Sequence, residues 1–151
     1  MAKTLREQLI GAWKLMSYIE KPMNGSDPVY PREQKQEGIL VYTADGYMSA
    51  HLMQPERQKF ASGDWSCGTD EEIKGAALGY FAYAGPFYVD EERQTLTHEV
   101  FLSLDPNWVG QSQIRVAKIE DDILHLSTEK PIKRGASETM YYLAWKRVER
   151  P

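Results

Sequence analysis

Gly38-Ile39-Leu40-Val41-Tyr42-Thr43-Ala44-Asp45-Gly46-Tyr47-Met48-Ser49-Ala50-His51-Leu52-Met53 is the stretch that decides the fold. Two runs rich in β-branched and aromatic residues flank Ala44-Asp45-Gly46, and Asp-Gly between such runs is a strong signal for an antiparallel hairpin. Reading outward towards the N-terminus, Trp13 to Glu20 alternates as a strand. It is preceded by a short helix that Thr4-Leu5-Arg6-Glu7 opens as a capping box and Gly11 stops. A loop marked by Pro22, Asn24-Gly25, Asp27-Pro28 and Pro31 joins this strand to the hairpin. Towards the C-terminus, Thr69-Asp70-Glu71-Glu72 is a second capping box and predicts a helix from Asp70 to about Tyr83, inserted in a segment running from Gln54 to Gly85. Strands are then expected at Phe87 to Val89, Thr95 to Leu104, Gln111 to Ile119, Ile123 to Thr128 and Thr139 to Val148, eight in all. The expected class is all-β, because an antiparallel meander of about eight strands closes into a barrel whose interior is filled or holds one small ligand.

Composition narrows the setting. A chain of 151 residues is the size of one domain and buries roughly 70% of its unfolded surface. No repeat, low-complexity tract or linker divides it, so residues 1–151 read as a single domain. A net charge of -4 with both signs interspersed argues against nucleic acid or anionic lipid as partner. No apolar run approaches the ~20 residues of a membrane span, and Met1-Ala2-Lys3-Thr4 passes into an amphipathic segment, so a cytoplasmic protein is expected. The lone Cys67 forms no internal disulfide and suits a reducing compartment. The oligomeric state stays open, with a homodimer as one option.

Several further motifs stand in a telling order: Gly11-Ala12-Trp13, Tyr42-Thr43-Ala44-Asp45-Gly46-Tyr47-Met48-Ser49-Ala50, Tyr83-Ala84-Gly85-Pro86-Phe87, and Pro106-Asn107-Trp108-Val109-Gly110 followed by Gln113 and Arg115. Leu143-Ala144-Trp145-Lys146-Arg147 closes the series. Together, from about Leu5 to Arg147, they resemble the bacterial and fungal lipocalin-like domain proteins of the calycin group. The resemblance implies an eight-stranded calycin barrel with a ligand cavity, in which a basic residue of the last strand, Lys146 or Arg147, packs across Trp13 and closes one end. It does not deliver a reaction. Relatives found beside enzymes of secondary metabolism, and associated with cyclisation or isomerisation, keep catalysis open.

Alternation along the expected strand puts Leu96, His98, Val100, Leu102 and Leu104 on one face, taken as the inner one. A two-residue turn at Glu120-Asp121 would set Ile119 opposite Asp122, Ala117 opposite Leu124, Arg115 opposite Leu126 and Gln113 opposite Thr128. Opposed residues share a face, so Gln113, Arg115 and Ala117 turn inward with Leu124 and Leu126, while His125 faces solvent. A polar trio of His98, Gln113 and Arg115 then stands in an apolar barrel.

In the functional reading Arg115 binds a carboxylate, phenolate or carbonyl, and His98 donates, accepts or transfers a proton. In the structural reading His98 is hydrogen-bonded within the core, and Arg115 pairs with an acid such as Glu99 or faces water. An inward Arg115 requires a partner of some kind, because an uncompensated buried charge is very costly. Trp108 and Tyr83, the latter taken as the end of the inserted helix, line the mouth or pack beneath a loop. Met48 adapts to a ligand or fills core, and Trp13 is assigned to structure.

Much familiar chemistry lacks its residues. His51, His98 and His125 are dispersed and no cysteine cluster exists, so no metal site is expected. Without a Gly-rich phosphate loop or a Gly-x-Ser-x-Gly elbow, no cofactor and no serine-hydrolase chemistry are expected. The leading expectation is binding of a small, largely apolar molecule anchored at His98, Gln113 and Arg115. The alternative is a cofactor-independent isomerase, cyclase or dehydratase in which His98 moves a proton and Arg115 stabilises an oxyanion. An interaction module with a filled barrel is the third.

Overall fold

A computed structural model of the chain describes residues 2–31 and 35–149, so Met1 and Pro151, the ends of the expected domain, lie outside the described residues. Its elements are α1 (Leu5–Leu9), β1 (Gly11–Pro22), β2 (Glu37–Tyr42), β3 (Tyr47–Met53), α2 (Asp70–Leu78), β4 (Tyr80–Asp90), β5 (Thr95–Glu99), β6 (Leu102–Ser103), β7 (Ser112–Glu120), β8 (Ile123–Thr128), β9 (Ile132–Arg134) and β10 (Ser137–Arg147). Neighbours pair antiparallel in the order β1-β2-β3-β4-β5-β7-β8-β10, and pairing of β10 with β1 closes the eight-stranded barrel. The two remaining strands are accessory, with β6 pairing β4 and β9 pairing β10.

The hairpin forms where the Asp-Gly signal stands: Tyr42 pairs Met48, and Gly46 takes φ of +100° in the connecting loop. The inward faces of β2 and β3 carry Leu40, Tyr42, Met48 and Ala50, all buried. They join Leu96, Leu124, Leu126 and Trp145 in one core.

One end of the barrel is sealed around Trp13, which is fully buried. Its indole Nε1 donates to the Leu9 carbonyl at 2.9 Å, and the Arg147 guanidinium lies 4.2 Å above its ring. Arg147 also donates to the carbonyls of Gln8 at 2.7 Å and Ile10 at 3.4 Å, and pairs with Asp122 at 3.1 Å. Of the two basic residues expected here, Arg147 is the one over Trp13. Helix α1 plugs this end by burying Leu5 and Leu9, and its N-terminus carries the predicted Thr4/Glu7 capping box. The Glu91 carboxylate accepts from the Leu5 and Arg6 amides at 2.7 and 3.1 Å, so an acid from the turn after β4 serves the start of this helix.

Four local expectations change. Helix α2 starts at its capping box but stops at Leu78, with Gly79 as its cap, rather than at Tyr83. Phe81-Ala82-Tyr83-Ala84 alternates large and small, and β4 pairs with β3 from Met53↔Tyr80 to Tyr47↔Pro86. Tyr83 is therefore a strand residue, and the fourth strand is much longer than Phe87 to Val89.

The second change lies in the expected strand Thr95 to Leu104, which is broken. Pairing passes from Phe87↔His98 to Ala84↔Leu102, a shift of one residue. The shift turns Leu102 outward, 59% exposed, whereas Val100 stays buried.

Third, β1 carries a bulge at Met16, since Leu15 faces Trp145 and Ser17 faces Ala144. The inward face thereby passes from Trp13 and Leu15 to Tyr18 and Glu20, which line the interior.

Last, the turn between β7 and β8 is Asp121-Asp122, with φ of +52° and +61°, and Ile119 faces Leu124, Ala117 faces Leu126 and Arg115 faces Thr128. The register thus differs by two residues from that expected for Glu120-Asp121. A displacement of two preserves which face each side chain takes, so Arg115 and Ala117 still share the face of Leu124 and Leu126.

Candidate ligand-binding cavity

Away from the end that Trp13 seals, the inner faces of the strands do not meet, and a cavity of about 440 Å³ remains. That volume falls within the range of small-molecule sites. Alternation on β4 directs Phe81 and Tyr83 into it, where both pack edge to face on Trp108 with ring centroids 5.0 and 5.2 Å away. Trp108 is carried by a short 3-10 turn, Pro106–Trp108, that Asp105 caps by accepting from the Asn107 amide. Leu40, Ala50, Leu52, Leu126 and Leu143 supply aliphatic wall, and Leu78 at the end of α2 lies at the rim.

Arg115 enters this cavity from β7, and Glu20, Asp105 and Lys133 are the other charged residues of its lining. Its guanidinium carbon stands 6.0 Å from the Trp108 ring centroid, and Nη1 donates to the Ile114 carbonyl at 3.0 Å. Among the described residues no carboxylate pairs with it, Glu99 included. The guanidinium therefore keeps donors for another acceptor.

His98 is buried at 1% exposure and is held at both ring nitrogens: Tyr42 Oη lies 2.8 Å from Nε2 and Tyr83 Oη lies 3.0 Å from Nδ1. Burial, and then the charge of Arg115, push its pKa down to about 3, so the ring is neutral at physiological pH. Burial also raises the pKa of both phenols, with Arg115 opposing, and each keeps its proton. Neutral and bonded on both sides, His98 has no ring nitrogen left over to meet a ligand.

The structure brings His98, Arg115, Tyr83 and Trp108 to one cavity. Gln113 shares their face, opposite His98, but its amide donates to Gln111 Oε1 at 3.2 Å and it is not part of the wall. Met48 is packed in the core, 2% exposed, and is likewise not part of the wall.

Three residues that the sequence reading did not select belong here. Tyr42 is the second phenol on His98, and its even spacing from Leu40 already placed it on the inner face. Trp145 and Gln36 line the cavity while the Trp145 Nε1 donor and the Gln36 Oε1 acceptor are buried without a hydrogen-bond partner among the described residues. Buried polar atoms are nearly always paired, and groups left open beside a cavity mark places where a ligand or water completes them.

No group of three or more metal-ligating side chains occurs among the described residues, and no helix there is long and apolar enough to cross a membrane. Comparison with known proteins agrees with the architecture. The 4'-hydroxy-3'-methoxypropiophenone carrier protein ppsC of Aspergillus oryzae is 38% identical over 109 residues, covering 68% of this chain and 98% of that protein. The family model of the lipocalin-like domain matches residues 10–148. By its barrel and by this match, the chain belongs to the lipocalin-like domain family.

Proposed function

We propose that this protein binds a small, largely apolar molecule inside the barrel, with its rings against Phe81, Tyr83 and Trp108 and a polar or anionic oxygen at Arg115. The observation that carries the reading is the pairing of a cavity of about 440 Å³, with Phe81, Tyr83 and Trp108 in its wall, with a guanidinium that no carboxylate pairs with among the described residues. The relative's name supports it, since a hydroxylated, methoxylated aryl ketone has an apolar ring with oxygens at its ends. Carriage, with the ligand returned unchanged, suits the site better than turnover, because His98 offers no free nitrogen for proton transfer. A cytoplasmic setting is part of the proposal and is supported by the exposed free thiol of Cys67. A homodimer is one option for assembly, and light scattering of the purified protein tests it.

Native mass spectrometry of freshly purified protein, repeated after incubation with a naphthalene carboxylate, tests the function. A retained small molecule, or a single saturable adduct per chain, is expected. A bare chain in both spectra would count against binding.

A further inference from the structure

We propose that Tyr42 fixes the proton of His98 on Nδ1, so that Tyr83 presents its O–H to the cavity and the site selects ligands by an acceptor oxygen, a carbonyl or oxyanion. The ligand half of this inference rests on the binding function proposed above; the proton's position does not.

The argument is one of donors and acceptors. A neutral imidazole has one N–H and one bare nitrogen, and here each nitrogen faces a phenol. Tyr42 is 1% exposed, and among the described residues its hydroxyl has no hydrogen-bond partner except His98 Nε2. With the proton on Nε2, Tyr42 would accept from the ring and its own O–H would be buried with nothing to donate to. With the proton on Nδ1, Tyr42 donates to Nε2 and is satisfied. The difference is the cost of one unmet buried donor, a bias of about tenfold or more in the tautomer ratio.

The bias passes down the chain of bonds. Nδ1–H donates to Tyr83 Oη, which leaves the Tyr83 O–H with no protein acceptor among the described residues, on a side chain that lines the cavity. Trp145 adds a second unpaired donor at Nε1, and Arg115 adds the remaining guanidinium donors. These donors share the cavity with acceptors on Glu20, Gln36 and Asp105, and an acceptor oxygen on the ligand answers the O–H that Tyr83 presents. A hydrocarbon of the same shape would leave it unmet.

Two readouts test the inference. In a long-range proton–nitrogen NMR spectrum of wild-type protein with labelled histidine, His98 is expected as the Nδ1–H tautomer; an Nε2–H tautomer overturns the relay, whatever the cavity binds. Affinities for an aryl alkyl ketone and for the hydrocarbon with a methylene in place of the carbonyl oxygen then give a ratio. That ratio is expected to fall about tenfold in Tyr83→Phe, with melting curves checking that the variant folds. An unchanged ratio overturns the selection by Tyr83. Failure of the ketone to bind wild-type protein overturns the ligand half together with the proposed function, while the NMR spectrum still decides where the proton sits.

Discussion

The guanidinium of Arg147 lies 4.2 Å above the ring of Trp13, and from that position it also reaches the carbonyls of Gln8 and Ile10. One side chain at the end of the last strand thus ties the first strand and helix α1 together at the sealed end. Trp13→Ala should cost about 3–5 kcal/mol, the range for a large aromatic removed from a core. Arg147→Lys should cost about 1–3 kcal/mol, because an ammonium cannot serve the ring face, two carbonyls and Asp122 at once. Chemical denaturation measures both, and losses below about 1 kcal/mol in the tryptophan variant would show that this end does not hold the barrel.

Gly85 is a second fixed point. A Cβ at Gly85 would sit 1.7 Å from the Glu99 carbonyl oxygen, a backbone atom that cannot rotate away. This is where the ladder between β4 and the segment after β5 slips by one residue. Gly85→Ala should therefore destabilise by about 3 kcal/mol or more, at the upper end of overpacking. The same change at Gly25 or Gly63, where nothing lies within 4 Å of the added carbon, meets no steric contact and carries only the cost of its positive φ. A melting series comparing these variants separates the cases.

The buried imidazole sets a pH dependence. His98 falls from an ordinary pKa of 6.5 to about 3 on folding, chiefly through burial. Between those values the unfolded chain binds a proton that the folded chain does not, so stability is full above pH 6.5 and declines as the pH drops towards 3. The slope from this group reaches about 1.4 kcal/mol per pH unit. His98→Gln should flatten the stability curve in that window relative to wild type. Parallel curves for the two proteins would place the His98 proton affinity near its ordinary value.

How much of this was legible in the sequence depends on how local the signal is. Asp45-Gly46 and the Thr69/Glu72 capping box act over a few residues and were read correctly. Gly79 ended α2 before Tyr83, and the large-small alternation after it was a strand signal overshadowed by the helix that precedes it. The bulges at Met16 and after Glu99 were hidden, since a bulge is set by what the partner strand does. Arg115 still pointed inward under a wrong turn, because the error was even-numbered. Tyr42 and His98 lie 56 residues apart, and alternation gives each its face without revealing that the two meet. Alternation likewise put Gln113 with Arg115, yet depth along the strand, which pattern does not report, kept it off the cavity wall.

The central claim is that the barrel takes up a small apolar molecule whose polar oxygen is held by Arg115, and calorimetric titration with a naphthalene carboxylate tests it most directly. Three proteins are compared: wild type, Arg115→Gln, and Ala50→Phe, which fills the cavity from a buried wall position. The account predicts saturable one-to-one binding to wild type, affinity weakened by about tenfold or more in Arg115→Gln through loss of a charge-assisted hydrogen bond, and little or none in Ala50→Phe. Absence of saturable binding to wild type, or equal affinity in all three folded proteins, would contradict it.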